Sequence, residues 1–161
     1  MSLERADELM LQDKEYMRRA IELAKKGTGW VNPNPKVGAV IVKDGEVIAT
    51  GFNTKEHDND VTSHAEIIAI RKAEKILNNW RLDDCDLYVT LEPCPMCGWA
   101  ILQSRIRTVY FGSYDVNYGA FSSKIDLRKF SNNQNLKVYG GILEDECNNL
   151  LNEFFKALRK F

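Results

Sequence analysis

Two histidines and four cysteines are the strongest transition-metal donors in this chain, and three of the six fall at informative spacing. Cys94 and Cys97 form a C-x-x-C behind Pro93 in T-L-E-P-C-P-M-C, while His64 stands in T-S-H-A-E. Taken alone, C-x-x-C is open to three readings: a redox couple, half of a structural zinc clip, or part of a catalytic metal site. One neutral imidazole and two thiolates would hold zinc and leave its fourth position open. In a helix beginning near Cys94 the two cysteines lie at i and i+3, so both sulfurs share one face of the first turn. The positive end of that helix would also favour their ionised forms. Glu66, two residues after His64, is close enough to share the pocket, and a carboxylate beside metal-acidified water can take its proton and pass it on. A closed structural site would need a fourth donor. His57 is the other histidine, but it sits in a polar stretch with no second donor at its side.

Several elements must position these groups. D-K-E-Y-M-R-R-A-I-E-L-A-K-K-G places Tyr16, Met17, Ala20, Ile21 and Ala24 at helical spacing, with Asp13 as the expected N-cap and Gly27 as the stop. Glycines and prolines then interrupt the pattern through residue 35. Asp44-Gly45 divides two β-branched runs, 37–43 and 46–53, which predicts a hairpin. H-A-E-I-I-A-I-R-K-A-E-K-I-L reads as a helix with His64 at its start. Residues 87–91 and 108–112 read as short buried strands, with a helix from Cys94 between them. A strand near 136–139 and a helix with an acidic start and a basic end complete the chain. A hairpin followed by strands alternating with helices implies an α/β layered domain built on a mixed sheet.

Composition narrows the function classes. The chain has 161 residues, 44% of them hydrophobic, enough for one domain with a core; residues 1–12 read as a flexible N-terminal extension. Twenty-two basic residues against 23 acidic ones give no global basic field for nucleic acid. No apolar run approaches a membrane span and the N-terminus lacks a secretory apolar core, so a cytoplasmic protein is expected. There the four cysteines would stay reduced; Cys85 and Cys147, without partners at ligand spacing, read as small buried hydrophobes.

H-x-E followed by P-C-x-x-C is an established signature of zinc-dependent nucleobase deaminases, so the joint pattern of His64, Glu66 and Pro93–Cys97 is matched to known chemistry. With V-G-A-V-I-V, the stretch from Trp80 to Cys97, S104-R-I, the F-G-x-x-D of 111–115 with Gly119-Ala, and G-I-L-E-D-E-C-x-x-L-L-x-x-F-F, the chain resembles the zinc-dependent cytidine and deoxycytidylate deaminase superfamily. Within it the likeness is greatest to the TadA-type tRNA-specific adenosine deaminases, which make inosine at the anticodon wobble position. The resemblance implies a three-layer α/β/α fold with a mixed five-stranded sheet, one Zn2+ per subunit, and a homodimer whose subunits together form the RNA surface. It implies that His64, Cys94 and Cys97 hold zinc and that Glu66 shuttles protons as water adds at C6 of adenine. Asn53 matches the asparagine that contacts the flipped base, the Ala65 backbone would bind the base edge, and Asp115 matches an acidic residue near the anticodon loop.

Other substrates are compatible with parts of the pattern. The segments around 16–27 and 32–45 look more like the deaminase domain of riboflavin biosynthesis, although that group usually spaces its cysteines more widely. A deaminase of a free base, nucleoside or nucleotide shares the short spacing, and a zinc-containing RNA-binding module without chemistry would not need Glu66. Gly98-Trp99 stands where the tRNA enzymes keep alanine and glycine, and Tyr118 and Phe121 add aromatic bulk after Asp115. These rings are expected near the pocket, as stacking platforms or as filling for a smaller substrate. Lys156, Arg159 and Lys160 form the one compact basic cluster.

Overall fold

A computed structural model of the chain describes residues 2–26, 35–132 and 135–159. Gly27 and most of the glycine- and proline-rich turn lie outside these residues, as does the end of the basic tail. Helix α1 spans Leu3–Lys25, with Met17, Ala20, Ile21 and Ala24 buried on one stripe, as the periodicity predicts. Its start corrects the sequence reading. Ser2 is the N-cap, its side chain accepting the Arg5 N–H at 3.2 Å, and the expected extension is helical from Leu3 onward. Asp13 lies inside the helix and accepts a hydrogen bond from the Tyr88 hydroxyl at 2.5 Å.

The hairpin forms where Asp44-Gly45 places it, between β1 (Gly38–Lys43) and β2 (Glu46–Phe52). Asp44 and Gly45 have φ of 51° and 77°, the left-handed pair of a tight turn whose twist matches the strands. A single-turn helix, α2 (Lys55–Asp58), follows, then α3 (Ala65–Leu77), β3 (Cys85–Leu91), α4 (Pro95–Gln103) and β4 (Thr108–Ser113). A 3-10 turn at Leu127–Phe130, β5 (Lys137–Tyr139) and α5 (Glu144–Arg159) complete the order. Neither α2 nor the 3-10 turn has enough residues to show a hydrophobic period, and neither was expected from sequence.

The five strands run in the order β2-β1-β3-β4-β5. β1 pairs antiparallel with β2 and β3, while β4 is parallel to both β3 and β5. The sheet is therefore mixed, and alternation along each strand divides its side chains between two cores. Ala39, Ile41, Leu87, Val89 and Phe111 face the layer of α3 and α4. Val40, Val42 and Tyr88 face the other side, with Met17 and Ala20 of α1 and Cys147 of α5. The result is the three-layer α/β/α arrangement implied by the resemblance. Cys85 and Cys147 are both buried, one in each core.

Candidate metal centre and substrate pocket

Two helix N-termini converge at one end of the sheet. His64 is the N-cap of α3 and Cys94 the N-cap of α4, both with extended backbone, and Pro95 occupies the first turn of α4. Proline suits that position because its missing N–H would have had no partner in the helix. Cys97 follows one turn later and is fully buried. The His64 Nδ1 atom lies 3.7 Å from Cys94 Sγ and 3.4 Å from Cys97 Sγ. Among the described residues, His64, Cys94 and Cys97 form one group of metal-type donors, with ligand atoms all within 4.8 Å of one another. His57 is not part of it. That ring is exposed on α2 and pairs with the Asp58 carboxylate at 3.0 Å, so the fourth-ligand reading fails on position.

The electrostatics of this group fit a dication. A hydrogen bond from Cys97, with His64 adding, draws the Cys94 thiol down to about 4. The same contact with Cys94, reinforced by burial and by the nearby Glu66 carboxyl, pushes Cys97 upward. One sulfur thus ionises readily and its charge holds the proton on the other. Burial raises Glu66, 4% exposed, to about 7, and the Cys94 charge adds to that rise. A centre where each anion hinders the next is relieved by a bound cation, and two sulfurs with one imidazole suit zinc.

His64 and Cys94 line a pocket of about 420 Å³, with Cys97 buried behind them. The size is toward the lower end for small-molecule sites and suits a single base or nucleoside. Asn53, Ala65, Glu66 and Asp115 all line it, so the expected site residues meet in one place. Asn53 is buried, and its Oδ1 accepts the Lys55 N–H at 3.0 Å, so the amide NH2 is the part of this side chain that can donate to a ligand. Ala65 opens α3 and is fully buried at the pocket wall. Asp115 is engaged within its own loop, where Oδ1 accepts the N–H groups of Asn117 and Tyr118, each at 3.1 Å.

Residues 10–113 match the family described as the cytidine and deoxycytidylate deaminase zinc-binding region. The chain belongs to this deaminase family. A tRNA-specific adenosine deaminase of Bacillus subtilis is 41% identical, covering 94% of this chain and 93% of the relative. A solved structure from a study of A-to-I editing by tRNA:A34 deaminases superposes with a TM-score of 0.76 at 41% identity, covering 85% of this chain and 99% of that one. The bifunctional diaminohydroxyphosphoribosylaminopyrimidine deaminase and reductase of Thermotoga maritima gives a TM-score of 0.74 at 40% identity, covering 94% of this chain but 42% of that one.

Two of the aromatic expectations are corrected in this deaminase. Phe121 is 2% exposed and belongs to the main core, so it neither stacks on substrate nor fills the pocket. Trp99 is 40% exposed on α4 and does not line the pocket. Gly98, its neighbour, has a packing reason. A Cβ there would meet Leu127 Cδ1 at 2.8 Å, so the missing side chain lets the segment after Asp115 close onto α4. Tyr118 does reach the pocket, 67% exposed at its mouth. Sequence reasoning also passed over Glu92 and Lys55, which line the same pocket. The available signal for Glu92 was a lone acid between an apolar strand and the Pro-Cys of the metal motif.

Proposed function

We propose that the protein hydrolytically deaminates adenosine to inosine at the wobble position of tRNA. The observation that carries the reading is Glu66, a buried carboxyl lining the same base-sized pocket as His64 and Cys94, two of the three metal-type donors. In support, the Bacillus subtilis relative, matched over more than nine-tenths of both chains, is a tRNA-specific adenosine deaminase.

His64, Cys94 and Cys97 would hold zinc, which when bound in an open three-ligand site supplies Lewis acidity and a water acidified toward neutrality. Glu66 takes one proton of the water as its oxygen adds at C6 and delivers it to the ring nitrogen, then carries the proton of the new C6 hydroxyl to the amino group, so that the C6–N bond breaks and ammonia leaves. Burial suits this work because a carboxyl whose proton affinity is raised toward neutrality both accepts and releases a proton near physiological pH. Asn53 offers its NH2 to an acceptor on the base, and the first free N–H groups of α3, beginning at Ala65, bind its edge. Asp115 shapes the loop that forms the outer wall. The anticodon loop must present a flipped base, since a stacked one cannot reach the floor.

We extend the proposal to a homodimer in the cytoplasm, where reduced thiols are the rule. No helix among the described residues is long and apolar enough to cross a membrane. A second reading, deamination of a free pyrimidine or nucleotide, is favoured by the likeness to the Thermotoga maritima protein. The deciding experiment supplies zinc-loaded protein with a panel of anticodon stem-loops, free bases and nucleosides and records ammonia and inosine. Inosine formed only in an adenosine-34 stem-loop supports the tRNA reading; turnover of a free base replaces it.

A further inference from the structure

Glu92 is an acid in an unusual place. It follows the last residue of β3, precedes Cys94 by two positions, and is 2% exposed. Among the described residues no cation pairs with it. Backbone amides meet its charge instead. Oε2 accepts the N–H groups of Phe121 at 3.2 Å, Ser122 at 2.8 Å and Ser123 at 3.0 Å. Oε1 accepts the Asp115 N–H at 3.2 Å and the Ser123 hydroxyl. Consecutive amides aimed at one anion form a nest, here occupied by the protein's own carboxylate. Gly119 completes the enclosure, since a Cβ there would lie 2.4 Å from the carboxylate oxygens. The strand end is tied as well: the Ala120 N–H donates to the Pro93 carbonyl at 2.9 Å, and the Glu92 N–H to the Ser113 carbonyl at 2.8 Å.

The carboxylate therefore grips the loop 115–123 at both ends while leaving its middle, Tyr118, exposed in the lining of the pocket that Asn53 shares. We propose that Glu92 is a positioning residue for the substrate: it fixes the Asp115–Tyr118 wall relative to the metal donors and so sets how tightly a flipped nucleotide is held. This inference rests on the deaminase reading, because it assigns that loop to substrate.

The test compares zinc-loaded wild type with Glu92→Gln, in which an NH2 replaces one acceptor oxygen, and Gly119→Ala, which crowds the carboxylate from the loop side. KM and kcat are measured on the adenosine-34 stem-loop, with bound zinc and amide hydrogen exchange at 121–123. Both variants are expected to keep full zinc, to lose exchange protection at 121–123, and to raise KM by roughly 10- to 100-fold while kcat changes by less than about 3-fold, the pattern of lost binding without lost chemistry. If Glu92→Gln fails to fold, Gly119→Ala carries the same expectation with Glu92 intact. Unchanged KM in active variants, or kcat falling alone, would overturn the role of Glu92. A wild type that turns over no base, nucleoside or stem-loop overturns the deaminase reading instead, and the substrate role with it.

Discussion

Phe121→Ala and Tyr118→Ala, three positions apart on one loop, should fail in opposite ways. Phe121 is 2% exposed, with its ring beside Gly98 of α4 and its neighbours Ala120 and Leu127 in the same core. Removing a ring that buries about 150–200 Å² costs about 4–5 kcal/mol at about 25 cal/mol per Å². Measured Phe→Ala changes in cores, at roughly 3–5 kcal/mol, agree. For a chain of this length about 1 kcal/mol moves Tm by roughly 2–4 °C, so Phe121→Ala should lower it by about 6–20 °C. Tyr118 is 67% exposed, and its truncation should leave Tm within about 2 °C. As a stacking surface it would contribute about 1–3 kcal/mol per base, so Tyr118→Ala should raise KM for the stem-loop by about 5- to 150-fold. Thermal unfolding of the zinc-loaded variants, followed by steady-state kinetics, separates the two. A Phe121→Ala protein that melts with wild type but binds substrate poorly would refute the core assignment.

Three further outcomes follow from other regions. His64→Ala should abolish stoichiometric zinc by elemental analysis, whereas His57→Ala, altering an exposed ring paired with Asp58, should bind as wild type does. Gly45→Ala meets no atom within 4 Å but must adopt φ +77°, so only backbone strain is added; about 1–2 kcal/mol should appear as a lower denaturation midpoint. Asp13 is raised above its ordinary 3.8, chiefly by burial and further by Asp86, against the lowering effect of the Tyr88 hydroxyl. A carboxyl raised in the folded state contributes stability that is fully present below its unfolded value and lost as pH rises through the folded one. Asp13→Asn keeps an acceptor for Tyr88 and removes the charge, so its unfolding free energy should decline less than that of wild type from about pH 4 to pH 7.

What was legible in the sequence was what local chemistry determines. The hairpin follows from one Asp-Gly pair, and α3 and α4 follow from runs of apolar side chains between turn signals. His64, Cys94 and Cys97 were found because donors are scarce and two of them share a helical turn. The first three turns of α1 were missed for a physical reason: Leu3, Met10 and Leu11 are 86%, 58% and 62% exposed, so no buried stripe betrays a helix held by its Ser2 cap and by propensity. Phe121 was misplaced because a ring in a loop beside a binding site looks the same in sequence whether it points inward or outward. Which way it turns depends on the absent side chain at Gly98, some twenty residues earlier.

T-L-E-P-C-P-M-C joins the two halves of the site through one rigid run of chain. Cys94 and Cys97 are fixed by the start of α4, and Glu92, just past the end of β3, holds the loop that carries Asp115 and Tyr118. Pro93 locks the turn between them and gives its carbonyl to Ala120 of that same loop. The metal donors and the substrate wall are therefore joined through Glu92 and Pro93, with two residues between the end of β3 and Cys94. The coupling also runs in reverse. A ligand that draws Tyr118 inward pulls through Glu92 on the chain before the N-cap of α4, so Glu92→Gln should weaken substrate binding together with amide protection at 121–123, whereas Asn53→Ala, just after β2, should weaken it with that protection intact.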